Sequence, residues 1–195
     1  MTTSVSTTVQ PTIKAFNAKA QLASVADYVA DALDAACIYV GTYRKYNEGS
    51  IFGAWIDLEK VYDYEELLEV CSKLHSDEDD PEFMVQDFQN FPKDFYYECL
   101  DEDDFDKIKA YLELGNEKEA YEAYLEATGD EDISNFRDRY MGEWDSEEDF
   151  AEHIVDECYP EVQNSQLGYY FDYSRYARDL FMDYIYWDGH VFSPR

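Results

Sequence analysis

Ile38-Tyr39-Val40-Gly41-Thr42-Tyr43-Arg44-Lys45-Tyr46-Asn47-Glu48-Gly49-Ser50-Ile51-Phe52-Gly53-Ala54-Trp55 is the stretch on which the reading of this chain turns. Ile38-Tyr39-Val40 has the β-branched and aromatic character of a strand, Lys45 to Gly49 reads as a turn, and Ser50 to Ile56 as the antiparallel return strand. Asn47 and Gly49 suit turn dihedrals, so Lys45, Asn47 and Gly49 are expected to shape this hairpin and not to touch a partner. Downstream the apolar period changes from two to that of a helix. From Asp63 to about Leu74, Leu67, Leu68, Val70, Cys71 and Leu74 face inward and Glu65, Glu66 and Glu69 outward. A strand pair feeding an amphipathic helix points to an α+β fold.

The pattern continues to the C-terminus. Phe83 to Phe88 reads as a strand. Helices follow at Asp104 to Leu114 and Glu117 to Ala127, separated by Gly115-Asn116 and closed by Gly129. Phe136 to Met141 reads as a strand, and Ser146-x-x-Asp149 opens a helix to Cys158 as a capping box. A helix from Tyr173 to Met182 precedes a hairpin, Tyr184 to Trp187 and His190 to Phe192, turning at Asp188-Gly189. Gly53-Ala54-Trp55 and Gly142-Glu143-Trp144 echo one another, each expected between a strand and an acidic helix. The echo predicts two small sheet-bearing lobes joined by a helical middle, an elongated arrangement. The predicted division is an N-terminal extension at 1–36, a first α+β domain at 37–100, a helical middle at 101–130 and a second α+β domain at 131–195. Within the extension Met1 to Gln10 is expected to be disordered, and Ser24-x-x-Asp27 to open a short helix reaching Ala36.

Charge sets the functional question. Against 15 Lys and Arg stand 45 Asp and Glu, a formal net charge of −30, in a chain with 17% aromatic residues. An acidic chain poor in aromatics would stay unfolded for lack of apolar surface to bury, but this one can build a core. Solubility of a small domain needs a net charge of magnitude about 2 to 8, so the excess implies a use that outweighs self-repulsion. By segment the net charge is −1 over 1–36, +1 over 37–56, −16 over 57–106, −6 over 107–145 and −8 over 146–195. The first strand pair is therefore nearly neutral and the helices after it carry the acid. Such a chain disfavours direct nucleic-acid binding and anionic membranes, which need a basic face. Cations or basic protein surfaces are the expected partners.

Chemistry of other kinds finds little footing. Cys37, Cys71, Cys99 and Cys158 are widely spaced, with no C-x-x-C and no metal spacing to His75, His153 or His190, and read as reduced thiols of a cytoplasmic protein. No signal-peptide or membrane-span pattern is present. Asp101-x-Asp103 and Asp130-x-Asp132 begin like calcium loops but lack the glycine and glutamate that complete one. No nucleophile elbow or phosphate cradle occurs. A carboxylate pair of glycosidase type is unspecific among so many acids. The run Tyr169-Tyr170-Phe171-x-Tyr173-x-x-Tyr176 is expected to pack the terminal helix on its sheet, and His153 to be a surface residue. No catalytic residue, metal or cofactor is expected.

Acids at i and i+4 stand roughly 6 Å apart along a helix, as at Glu65/Glu69, Glu122/Glu126 and Glu148/Glu152. Duplex DNA bears one negative charge per about 1.7 Å, so thirty charges match about 50 Å of duplex. Carboxylates on an elongated body can thus stand in for phosphates before a Lys- and Arg-lined groove. The segment 38–55, with Tyr-Asn-x-Gly followed by Gly-x-Trp, resembles the start of the ArdA antirestriction proteins. Tyr169-Tyr170-Phe171-Asp172-Tyr173-Ser174-Arg175-Tyr176-Ala177-Arg178-Asp179-Leu180 resembles that family's C-terminal segment. The resemblance covers about Ile38 to Phe192. It implies an elongated three-domain α+β homodimer that mimics DNA, is carried on mobile elements, and occupies the DNA groove of the type I restriction-modification methyltransferase core, its modification and specificity subunits. The 36-residue extension departs from the family pattern.

The acids expected to form the mimic surface are Glu65, Glu66 and Glu69; Asp77, Glu78, Asp79 and Asp80; Asp101, Glu102, Asp103 and Asp104; Glu119, Glu122 and Glu126; Asp130, Glu131 and Asp132; and Glu147, Glu148, Asp149 and Glu152. Phe136, Tyr140 and Met141 are the expected dimer edge. The alternative from another class is an acidic sequestering partner or chaperone of basic, histone-like proteins.

Overall fold

The computed structural model describes residues 15–31, 34–166 and 168–194. The expectation for Met1 to Gln10 lies outside them. Contacts divide the chain into two compact units, Met1–Leu112 and Glu113–Arg195, each built on a three-stranded antiparallel sheet. The fold is α+β.

In the first unit β1 (Cys37–Thr42) is central between β2 (Ala54–Asp57) and β3 (Phe83–Gln89). Ile38 pairs with Ile56 on one side and Phe88 on the other, and a bulge between Tyr39 and Val40 shifts the register toward β3. The expected turn at Lys45 to Gly49 is entered by a helical turn, α2 (Tyr43–Asn47), that begins two residues earlier, and Gly49 closes it at φ 83°. β2 therefore begins at Ala54, four residues after the expected Ser50. α3 (Tyr64–Leu74) starts where Asp63 Oδ1 accepts from Glu66 N at 2.8 Å, and it buries Leu67, Val70, Cys71 and Leu74. Leu68, expected inward, is 37% exposed, because its position falls beside the apolar stripe.

α4 (Glu102–Leu112) closes this unit by burying Phe105, Ile108 and Tyr111. Lys109 Nζ donates to the Leu58 and Val61 carbonyls at 3.0 and 2.8 Å, tying the helix to the loop after β2. The N-terminal segment supplies α1 (Ala18–Ser24), capped by Asn17, and a 3-10 turn at Ala26–Tyr28. The helix expected from Ser24 toward Ala36 thus ends where it was to begin. Val25 is drawn into the core at 1% exposure, and Val29 forms a bridge to Ile56.

The second unit opens with α5 (Lys118–Thr128), stopped by Gly129 in the left-handed region at φ 67°. α4 and α5 fall in different units. The strand expected from Phe136 is instead α6 (Ile133–Arg139), capped by Asp132, followed by the short β4 (Tyr140–Glu143). Helix wins there because Ile133 and Phe136, one turn apart, allow Phe136 to enter the aromatic core against Tyr121 and Tyr124 at ring distances of 5.4 and 5.7 Å. α7 (Glu147–Cys158), α8 (Pro160–Gln163) and α9 (Tyr173–Leu180) follow, and α9 packs on α7. β5 (Ile185–Trp187) and β6 (His190–Phe192) form the expected hairpin, with Asp188 and Gly189 at φ 46° and 82°. β6 is central and β4 and β5 are outer strands.

The two echoed glycines do different work. Gly142 sits at φ 101°, whereas a Cβ on Gly53 would stand 2.3 Å from the Val40 carbonyl oxygen. Gly53→Ala must push β2 away from β1 and is expected to destabilise the first unit by about 2 kcal/mol. Urea unfolding compared with Gly49→Ala, where an added Cβ meets nothing within 4 Å, separates crowding from left-handed backbone strain.

Candidate functional site

Each long helix turns an apolar stripe inward and its acids outward, so most of the acids named above stand at the surface. Glu65 and Glu69 of α3, Glu102 and Asp103 of α4, and Glu119, Glu122 and Glu126 of α5 are exposed. So are Glu147, Glu148, Asp149 and Glu152 of α7, and the loop residues Asp79, Asp80, Asp101 and Asp132. Glu66, Asp104, Asp130 and Glu131 are half-buried. Asp156 also lies exposed on α7, one turn beyond Glu152. The same i, i+4 spacing that marked Glu148 and Glu152 would have found it.

Several of these acids also hold backbone. Asp101 Oδ1 accepts from Asp104 N at 3.0 Å and Asp132 Oδ1 from Ser134 N at 2.8 Å, while Asp149 Oδ2 accepts from its capping Ser146 Oγ at 2.6 Å. The hydrogen bonds from Ser134 hold the Asp132 carboxyl below its ordinary range, whereas burial pushes that of Asp104 up. Asp130 accepts from the Tyr124 hydroxyl at 2.9 Å and Asn135 Nδ2 at 3.1 Å. Trp187 donates its indole N–H to Glu126 at 3.2 Å.

Two acids depart from the expected surface. Glu78 is 7% exposed, and its Oε1 accepts from Lys45 Nζ at 2.6 Å and from Thr42 Oγ1 at 2.8 Å. Asp77 Oδ1 accepts from the same Nζ at 2.9 Å and from Gln21 Nε2. Burial pushes the Asp77 carboxyl up, but the bonds from Lys45 and Gln21 outweigh it and hold it below its usual range. Lys45 Nζ further donates to His75 Nδ1 at 3.2 Å and lies 5.8 and 5.7 Å from the ring centres of Phe16 and Phe52. Glu78 and Asp77 are thus counter-ions of a buried lysine. A desolvated carboxylate must be paired, so this local role takes precedence over display. One sign of it is legible along the chain, a lysine in an otherwise neutral hairpin.

The expected dimer edge is divided. Phe136 is fully buried in the core, which rules it out as an edge residue; Tyr140 is half-buried and bonded to His190 Nδ1 at 3.1 Å; Met141 is 38% exposed on the outer strand β4. The aromatic run after α8 is also redistributed: Tyr169 and Tyr170 are 91% and 79% exposed, while Phe171, Tyr173 and Tyr176 cluster together. The first two therefore do not pack the helix onto its sheet. His153 is partly exposed and packs at a tilt against Trp144, ring centres 4.7 Å apart. Cys37 and Cys71 are buried and Cys99 and Cys158 exposed, all as free thiols.

Among the described residues no group of three His, Cys, Asp or Glu side chains converges to hold a metal ion. No helix among them is long and apolar enough to cross a membrane. A family model described as antirestriction protein (ArdA) matches residues 38–192. No curated protein sequence matches the chain.

The buried lysine yields two expectations. Lys45→Met leaves Glu78 desolvated and unpaired and should cost about 3 kcal/mol in chemical unfolding, while Lys45→Met with Glu78→Leu should recover much of it. Burial, aided by the Lys45 charge, holds the His75 imidazole down to about 4 against an ordinary 6.5. Between those values the unfolded chain binds a proton that the folded chain refuses. The stability tied to neutral His75 is therefore complete above about pH 6.5 and lost as pH falls toward 4, by up to roughly 3 kcal/mol. Urea unfolding at pH 7.5, 5.5 and 4.5 should show this slope, and His75→Gln should flatten it.

Proposed function

The chain belongs to the ArdA antirestriction protein family, and from that premise we propose that it inhibits type I restriction-modification enzymes as a DNA mimic. Antirestriction is the function of the family, and its members act as inhibitors of a restriction-modification enzyme. The finer reading is that carboxylates of this chain occupy the DNA-binding groove of the methyltransferase core. Both modification and cleavage are then blocked, and incoming mobile DNA is protected.

The observation that carries this reading is the separation of acid from core on α3, α4, α5 and α7, which leaves their outer carboxylates exposed while aromatic and aliphatic side chains fill the inside. With 45 acids and 15 Lys and Arg, pairing every base once still leaves thirty carboxylates without a basic partner. A groove built to bind phosphates would be steered to such a surface. We further propose that two copies pair through the outer strand β4, with Met141 in the contact.

Competition at the methyltransferase core is the deciding measurement. DNA and this protein should exclude one another, and affinity for the protein should fall steeply as salt rises. Glu122→Gln alone should change affinity less than about twofold, because one exposed charge contributes little. Reversing Glu119, Glu122 and Glu126 together to Lys should weaken it more than about tenfold. A complex holding DNA and the protein together would defeat the mimic, and recovery of histone-like proteins instead of the core from lysate would favour the sequestering alternative. Met141→Glu should shift sedimentation toward the monomer.

A further inference from the structure

Residues 15–31 lie outside the span matched by the family model, yet they are folded onto the first unit. Their contacts run antiparallel along α3. Tyr28 OH donates to Glu66 Oε1 at 2.7 Å, Ser24 Oγ lies 3.4 Å from the Lys73 carbonyl oxygen, and Gln21 Nε2 donates to Asp77. Beyond Tyr28 the segment turns to the open edge of β2, where Ala30 N donates to the Trp55 carbonyl at 3.0 Å. Lys60 Nζ donates to the Val29 carbonyl and to Asp31 at 2.8 and 3.0 Å. At the other end Phe16 meets Phe52 edge-on at 5.0 Å over Lys45.

The attachment is thin for its length. Among the described residues of the segment Val25 is the one apolar side chain in the core, at 1% exposure, while Phe16 is 55% and Leu22 40% exposed. Most of the hold is polar and at the surface, where water and competing charges act on it. Ordering this many residues costs entropy that so few buried groups offset narrowly. Gln21 Oε1 is buried without a hydrogen-bond partner, a further charge against the docked state. The helix so flanked, α3, is an acidic one that the functional reading makes part of the partner surface: Glu66 is half-buried beside Tyr28, and Glu65 and Glu69 stay exposed.

We propose that residues 15–31 form an autoinhibitory strap, which docks along the flank of α3 and must be displaced before a cationic partner can close on that helix. The inference rests on the reading of the acidic helices as the partner surface. Docked, the strap engages Glu66 through the Tyr28 hydroxyl and holds Asp77 in the Lys45 cage through Gln21. Displaced, it opens the flank of α3 and the edge of β2. The partner's apparent affinity is reduced by the fraction of chains with the strap in place.

Two measurements on the full chain test it. In hydrogen exchange at low salt, poly-L-lysine should lower the protection of the Val25 and Ala30 amides by tenfold or more and leave the Ile38 and Val40 amides of β1 unchanged. Unchanged or increased protection of Val25 and Ala30 overturns the strap. In the second, Val25→Asp should release the segment and lower the concentration for half-maximal inhibition of a type I enzyme at least threefold. Equal or weaker inhibition overturns the proposal, as does loss of β1 protection in this variant, which would make the segment an indispensable brace. A wild-type chain that fails to exclude DNA from the methyltransferase core defeats the functional reading alone. The poly-L-lysine result then still decides the strap.

Discussion

Like-charge repulsion is the constraint to which every element of this molecule answers. A net charge of −30 opposes compaction, and the chain meets it by burying large aromatic side chains and by choosing where its acids stand. Tyr121, Tyr124, Phe136, Phe150 and Phe192 are among the largest fully buried side chains of the second unit, and Phe95 and Phe105 serve the first. Acids gather in the first turns of α3, α4 and α7. There the exposed amide ends of the helix attract negative charge, so part of the repulsion is offset locally. Asp63, Asp132 and Asp172 go further by accepting hydrogen bonds from helix amides.

Lys45 shows the opposite solution, a cation taken out of water. Its ammonium stands between Asp77 and Glu78 with two aromatic rings and an imidazole around it. The pairing joins α2 to the loop after α3 and, through Gln21, to the N-terminal segment. It takes Glu78 into the core and draws Asp77 partly out of water.

Much of this was legible in the sequence where a local rule acts alone. α3 and α7 begin where their Asp63 and Ser146 caps stand, and the last hairpin turns at Asp188-Gly189, because capping and left-handed turn geometry are decided within four residues. Legibility fails where distant contacts choose. Phe136 carries strand-like neighbours, but the aromatic pocket made by Tyr121, Tyr124 and Phe192 holds it on a helix. Glu78 looked like one more acid in the run Asp77 to Asp80, and only a lysine 33 positions earlier sets it apart. At the N-terminus Ser24-x-x-Asp27 matches a cap by pattern, whereas Asn17 makes the cap that is used. The exposure of Glu122 and Glu148 is legible because amphipathic spacing alone puts them outside.

The three tryptophans are shared between the units, Trp55 in the first and Trp144 and Trp187 in the second. Trp55 receives the backbone hydrogen bond of Ala30, and Trp187 is half exposed with its indole on Glu126. Intrinsic emission therefore offers a separate optical reporter for each half of the molecule. Quenching by iodide, an anion repelled by this surface, would reach Trp187 less readily than neutral acrylamide does, giving a spectroscopic gauge of the local potential beside the acidic face of α5.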